Sequence, residues 1–329
     1  MPIIHFLNVK NGDCSIINHY SGHITVIDVC NAKPEETLLE TAVAKALAAL
    51  EKGPGNFNQK NHPVNPISHL KEHGITSVFR FIATHPDMDH LDGIKVFFES
   101  FSPTNFWDTA NTAEKDFGAE SAFSEEDWEF YKNLRDSNPT TAPKRLTLHS
   151  GDRGQYWNRG ADEGSNGDGL HILAPTPELV ADANESDNYN DCSYVILYRT
   201  GKYKIVFGGD SHDKAWEHIL DKHGSDVKDI DLLIAPHHGR ASNRSYDFLD
   251  VLNPKMTLFG NASSEHLAYD AWNYRELPFI TNNQAGSIII NAEAEPMDIY
   301  VTHKPFAESD NPDTFYSEVF KAYYYGQIK

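Results

Sequence analysis

The chain has few cysteines, few positive charges and no long apolar run. Its three cysteines, Cys14, Cys30 and Cys192, are too sparse and too odd in number for a disulfide framework, which fits a reducing compartment. None of them is spaced like a zinc-ligand pair. Lys and Arg number 28 against 48 Asp and Glu, a net charge of −20. That excludes the broad basic footprint of a protein that coats duplex DNA or an anionic membrane. No stretch approaches the roughly 18 apolar residues of a membrane-spanning helix. The opening Met-Pro-Ile-Ile-His-Phe-Leu lacks the basic flank and long apolar run of a signal peptide, so a cytoplasmic protein with no membrane partner is expected. Gly-rich phosphate loops of the Walker or dinucleotide type are missing as well. Ser211, beside His212, comes with no separate oxyanion-hole signature, which sets a serine nucleophile aside.

The 329 residues are 40% apolar and 12% aromatic, enough for a large interior. Ile3 to Val9, Ser15 to Asn18 and Ile24 to Val29 read as a β-meander broken by Asn11-Gly12-Asp13 and Ser21-Gly22-His23. An amphipathic helix is expected over 35–51, a buried strand over Ser77 to Ala83, and a helix from about Glu125 to Asp136 capped by Ser124 and Asp127. The stretch 102–167 is aromatic, acidic and loop-rich and reads as an insertion; Gly151 to Gly169 reads as a loop without EF-hand spacing. Strands over Leu170 to Leu173, Ser193 to Arg199 and Lys204 to Phe207 precede a helix over Lys214 to His223 closed by Gly224.

Three strand ends carry the chemistry. Thr84-His85-Pro86-Asp87-Met88-Asp89-His90 puts four metal-ligand types within six residues, between the apolar Phe81 to Ala83 and a helix expected to start near Leu91. Gly208-Gly209-Asp210-Ser211-His212 follows the strand ending at Phe207, and Pro236-His237-His238-Gly239 follows Asp231 to Ala235. Ligand sites of α/β proteins lie at such carboxyl ends of strands, and three of them delivering Asp or His point to one metal site. Asp210 alone would also serve as a helix cap.

These motifs resemble the metallo-β-lactamase-fold hydrolases, and in particular the soluble hydrolase domain of the ComEC family of DNA-uptake channels. The likeness extends to Phe6-Leu7-Asn8-Val9 with Gly12-Asp13, Val26-Ile27-Asp28, Gly151-Asp152-Arg153, Leu173-Ala174-Pro175, Phe248-Leu249 with Asn253-Pro254, and Thr281 with Gly286-Ser287-Ile288. It implies one α/β domain over 1–329, an αββα sandwich of the metallo-β-lactamase type with helical and loop insertions at about 34–75 and 102–167. It also implies two divalent metal ions, Zn or Mn with Mg as a further choice. His85 and Asp87 would hold the first and Asp89 and His90 the second. Asp210 would bridge them, and one of His237 and His238 would complete the second site, His238 being favoured by the close approach that Gly239 permits. Asp89, His90 and Asp210 are the catalytic residues of that scheme. Asp28 would orient ligands from behind, with Asn190 and Asp191 in the region where the wider superfamily has a further His. The superfamily also has His where this chain has Asp87, and carboxylate in place of imidazole favours Mn²⁺ or Mg²⁺.

The activity implied is that of a metal-dependent phosphodiesterase or nuclease, a dinuclear site supplying hydroxide to a nucleic acid end or a small nucleotide. Arg240, Ser242, Asn243 and Arg244 offer donors for phosphate oxygens. The charge of −20 favours a single-stranded nucleic acid or small nucleotide over duplex. Trp107, Trp128, Tyr131, Tyr156 and Trp157 either stack bases or pack internally. The alternatives are hydrolysis of a carboxylic ester, thioester or lactone by the same site, or an interaction module gated by a partner. In the last case the Tyr323-Tyr324-Tyr325 end would dock a protein partner or oligomer.

Overall fold

The computed structural model describes all residues except 35–39, 41–42, 45, 49–56, 119, 137–142, 160–166, 243 and 263–265. Two sheets lie face to face. The larger, of ten strands, is built from β1 (Ile3–Phe6), β2 (Ser15–Asn18), β3 (Ile24–Ile27), β4 (Arg80–Ile82), β5 (Asn105–Asp108) and β6 (Lys144–Thr147), joined near the end of the chain by β13 (Ile288–Asn291), β14 (Met297–Val301), β15 (Tyr316–Ser317) and β16 (Ala322–Ile328). Its order is β15-β16-β14-β13-β1-β2-β3-β4-β5-β6. The six-stranded sheet runs β12-β11-β10-β9-β8-β7, from β7 (Leu170–Ala174), β8 (Val195–Thr200), β9 (Tyr203–Phe207), β10 (Leu232–Ile234), β11 (Met256–Phe259) and β12 (Phe279–Thr281).

Alternation along the strands explains the layers. Ile4, Phe6, Ile17, Ile27 and Ile82 point inward and meet Ile172, Ile196, Ile205, Phe207 and Ile234 of the other sheet in one apolar core. The opposite side of the large sheet, including Ile16, Val26, Phe81 and Phe106, is covered by α1 (Pro66–Glu72), α2 (Ile94–Phe101), α3 (Glu125–Arg135) and α4 (Pro177–Ser186). Leu197, Val206 and Leu233 face α5 (Asp213–Val227), α6 (Phe248–Leu252) and α7 (Tyr269–Asn273) on the far side of the small sheet. The fold is therefore a mixed α/β sandwich of αββα type, as the sequence led one to expect. No helix among the described residues is long and apolar enough to cross a membrane.

Several local expectations are corrected. The stretch 102–167 is not wholly an insertion, because β5 and β6 extend the large sheet by parallel pairing beyond β4. Asp127 does not cap its own helix; its carboxylate accepts from Gly93 N and Lys95 N and so caps the start of α2, while Ser124 caps α3. The turn after β4 is a short 3-10 segment, Met88–His90, and α2 starts only at Ile94. Helix α5 runs through Gly224 to Val227, where burial of the valine in the core outweighs the glycine. Trp107, Trp128 and Tyr131 are fully buried and cannot stack on bases. The helix expected over 35–51 lies largely outside the described residues.

Candidate metal centre

Parallel strands set the site. β3 and β4 pair in parallel, as do β9 and β10, so the segments after them emerge together at the carboxyl edge of the two sheets. Asp28 follows β3, His85 to His90 follow β4, Asp210 follows β9, and His237 and His238 follow β10. The connections are tight. Asp28, His237 and His238 hold left-handed backbone conformations, φ 59°, 54° and 56°, each of which costs about 1–3 kcal/mol and persists only where packing enforces it. Gly209 is also left-handed, and a Cβ there would meet Tyr194 O at 2.7 Å.

Asp210 occupies the middle. Its Oδ1 lies 3.3 Å from His90 Nε2, and its Oδ2 lies 3.5 Å from His237, 3.7 Å from His85 and 3.8 Å from His238, each measured to Nε2. Asp87 Oδ2 stands 3.4 Å from His85 Nε2, and Asp89 Oδ2 stands 3.5 Å from His238 Nε2. These spacings are long for hydrogen bonds. Four of them, from 3.3 to 3.5 Å, match the roughly 3.3–3.6 Å between donor atoms that share one tetrahedral cation at about 2.0–2.2 Å. His85 Nε2, His90 Nε2, His238 Nε2 and Asp210 Oδ1 are moreover buried without hydrogen-bond partners, a cost that a cation would remove. The donor set fits divalent metal.

Contacts behind the ligands fix which ring nitrogen faces inward. Thr84 N–H and Oγ1–H donate to Asp28 Oδ1 and Oδ2, each at 2.7 Å, and His90 Nδ1 lies 2.8 Å from Asp28 Oδ2. His85 Nδ1 lies 3.1 Å from Thr84 Oγ1, whose proton is already given to Asp28. His238 Nδ1 lies 3.0 Å from Asp13 Oδ1. A proton on Nδ1 satisfies His85 and His90 and leaves their Nε2 atoms turned to the cluster; the Asp13 carboxylate favours the same proton on His238 Nδ1 by charge, although that pair does not align as a hydrogen bond. His237 is reversed. The Arg244 guanidinium reaches its Nδ1 at 3.1 Å, and because arginine only donates, the neutral ring must carry its proton on Nε2, facing Asp210.

The electrostatics follow. Burial opposes charge on His90, but Asp210 and Asp28 raise its pKa well above the usual imidazole value. Burial likewise opposes charge on His238, yet Asp13 and Asp210 bring it to about 10. Asp210 is held well below the carboxylate range by His90, His238 and His85 despite the desolvation of burial. His237 is driven by burial down to about 4, so it stays neutral. The bare cluster thus holds protons that an entering cation displaces.

The structure gathers His85, Asp87, Asp89, His90, Asp210, His237 and His238 into this one cluster and puts Asp28 behind it. Asn190 Nδ2 reaches His212 Nε2 at 3.3 Å, and His212 in turn stacks on His237. Asp191 is partly buried with Oδ1 unpartnered, while Ser193 Oγ accepts from Asp210 N–H. Of the four donors expected for substrate, Arg244 is buried, with Nη1 on Ser211 O and Nε on Ser242 Oγ. Arg240 is half-buried, its carbonyl accepting from Tyr246. Asn243 lies outside the described residues. Sequence reasoning missed Asp13 and Lys115. Asp13 belongs to the opening Gly12-Asp13 motif and its turn, with no signal in the sequence that ties it to His238. Lys115 Nζ, 2.7 Å from Asp87 Oδ1 and 5.7 Å from the Trp128 ring, comes from the aromatic stretch and carries no motif.

No protein-family model matches the chain, and no curated protein matches it. Among solved structures it is similar to Igni18, described as a novel metallo hydrolase from the archaeon Ignicoccus hospitalis, with 10% identity, 88% of this chain and 99% of that one covered, and a TM-score of 0.46. It is similar to Tm1679, described as a metal-dependent hydrolase of the beta-lactamase superfamily, with 12% identity, coverage of 85% and 96%, and a TM-score of 0.45. The metallo-beta-lactamase fold protein YhfI from Bacillus subtilis follows at 9% identity, coverage of 85% and 96%, and a TM-score of 0.37. These are likenesses of architecture; the chemistry rests on the residues above.

Proposed function

We propose that the chain is a metal-dependent hydrolase acting on phosphodiesters, with a single-stranded nucleic acid end or a small nucleotide as substrate. The observation that carries this reading is the set of inward, unpartnered donor atoms around Asp210, with Lys115 beside Asp87 and Arg244 beside His237. His85 and Asp87 would hold one divalent cation, Asp89, His90 and His238 the other, with Asp210 shared. His238 takes this place over His237 because Asp13 stands at its Nδ1 and leaves Nε2 to the cation once its proton is displaced, whereas Arg244 occupies the Nδ1 of His237 and keeps that ring's proton on Nε2. Two such cations lower the pKa of a water and stabilise the charge that develops at phosphorus.

The remaining roles belong to the chain. Asp28 and Asp13 keep His90 and His238 in the ligating tautomer. His237 offers its Nε2 proton to a substrate oxygen, and Arg244 holds that ring in place. The Lys115 ammonium, partly exposed next to Asp87, suits an anionic substrate and has no use for a neutral ester. The ComEC-like character belongs to the same proposal, as does the choice among Mn²⁺, Zn²⁺ and Mg²⁺.

The test is hydrolysis of bis(p-nitrophenyl) phosphate beside p-nitrophenyl acetate by metal-stripped protein reconstituted separately with each of the three ions, with Asp89→Ala as control. Phosphodiester turnover that disappears in the variant is the expected result. Turnover of the acetate alone would replace the proposal by the ester-hydrolase reading.

A further inference from the structure

A second histidine cluster lies away from the centre just described. His69 lies on α1 and His73, four residues on, is the C-cap residue just past its end, so their rings share one face of the helix. His5 stands on β1, the strand paired with β2 and β13, and its Nδ1 is 3.0 Å from His69 Nε2. Ring centroids are 4.2 Å apart for His69 and His73, 4.8 Å for His5 and His73, and 5.1 Å for His5 and His69. The principal centre has the same spacing, 4.2 Å for His85 and His90 and 5.0 Å for His90 and His238. One ring nitrogen from each of the three lies within 4.8 Å of the others.

Hydrogen bonding within the protein leaves ligand capacity on His5 and His73. His5 is fully buried, and its Nε2 has no partner. His73 faces two carbonyl oxygens, His69 O at 2.9 Å from Nδ1 and Phe320 O at 3.2 Å from Nε2. A neutral imidazole has one N–H, so it can donate to only one of them. A cation on one nitrogen, with the other N–H donating to a backbone carbonyl, is the usual state of a ligating histidine. A cavity of about 430 Å³, lined by His69, His73 and Glu72 among others, adjoins the cluster and gives room for a further ligand or water.

We propose that His5, His69 and His73 bind a divalent cation of borderline softness, Zn²⁺ above all, at a site separate from the hydrolytic centre. Three imidazoles without a carboxylate select Zn²⁺ and discriminate against Mg²⁺ and Mn²⁺. The ion pins α1 to β1, and so braces the helical layer against the middle of the large sheet.

The experiment is a Zn²⁺ titration of chelator-stripped full-length protein against a chromophoric competitor, for wild type, His69→Asn/His73→Asn and the milder His73→Gln, with circular dichroism to verify folding. Wild type should bind one Zn²⁺ per chain more than the double variant, and His73→Gln should weaken that one ion while the remaining stoichiometry stays unchanged. Equal numbers and affinities of bound ions in all three proteins would overturn the proposal. If the double variant does not fold, the comparison with His73→Gln decides in the same way. Because the reading is an ion count, it stands or falls independently of which substrate the principal centre hydrolyses.

Discussion

Asp28 and His90 meet behind the metal centre: the carboxylate accepts twice from Thr84 and holds its Oδ2 2.8 Å from His90 Nδ1. One residue after β3 thereby sets the tautomer and orientation of a ligand that follows β4. Partners of this kind are worth about 10–100-fold in metal affinity.

Asp28→Asn should therefore bind metal about 10–100-fold more weakly and regain much of its turnover when metal is in excess. Asparagine tolerates the left-handed backbone at this position. Competition with a graded chelator series reads the affinity directly; an unchanged Kd would show that Thr84 alone suffices to place the loop.

Lys115→Ala tests the assignment of charge at the rim of the site. KM for an anionic phosphodiester should rise about tenfold or more, equivalent to at least ~1.4 kcal/mol, with kcat little altered. If kcat falls and KM does not, Lys115 acts by positioning Asp87 and not by attracting substrate.

Gly12 lies against the backbone of Asp89: a Cβ there would fall 2.0 Å from Asp89 O and 2.8 Å from Cys30 Sγ. Gly12→Ala should cost about 1–3 kcal/mol of stability through overpacking and weaken metal binding through displacement of Asp89. Thermal melts taken with and without metal separate the two effects, since the shift on adding metal should shrink in the variant.

Far from the centre, Arg80 and Asp168 form a buried ion pair at 3.0 Å, with Thr25 Oγ1 also accepting from Arg80. Asp168→Asn leaves the guanidinium buried and uncompensated and should cost about 3–5 kcal/mol, read by urea unfolding. Burial opposes ionisation of Asp168, but His19, Ser21, Arg80 and His23 together lower its pKa. A carboxyl lowered in the folded state contributes stability above its unfolded pKa of about 3.9 and loses it as pH falls through the folded value. The wild-type protein should accordingly lose stability below about pH 4, and the variant should show a flatter acid limb.

What could be read from the sequence was whatever lay in contiguous form. His85 to His90, Gly208 to Asp210 and His237-His238 are each compressed into one strand end, so their convergence followed from the strand pattern. Lys115 was invisible because only three-dimensional closure brings it in, from a loop with no motif of its own; Gly12-Asp13 stands out as a motif, but only closure places Asp13 behind His238. The cap formed by Asp127 failed for the same reason: its acceptors lie on another helix. Gly224 misled because burial of Val227 overrode a local rule. The pair His237 and His238 is not resolved by spacing, and the donor that distinguishes them, Arg244, reads in the sequence as a phosphate contact.

The position of β1 bears on how the chain folds. Its neighbours in the sheet are β2, close in sequence, and β13, where Ile3 pairs with Asn291. The second pairing closes a loop that contains nearly all of the chain, and contacts of such sequence separation form late and slowly. Until it forms, one edge of β1 stays unpaired, a row of open amides able to add a foreign strand. Refolding at high protein concentration is thus a contest between closure by β13 and association through that edge.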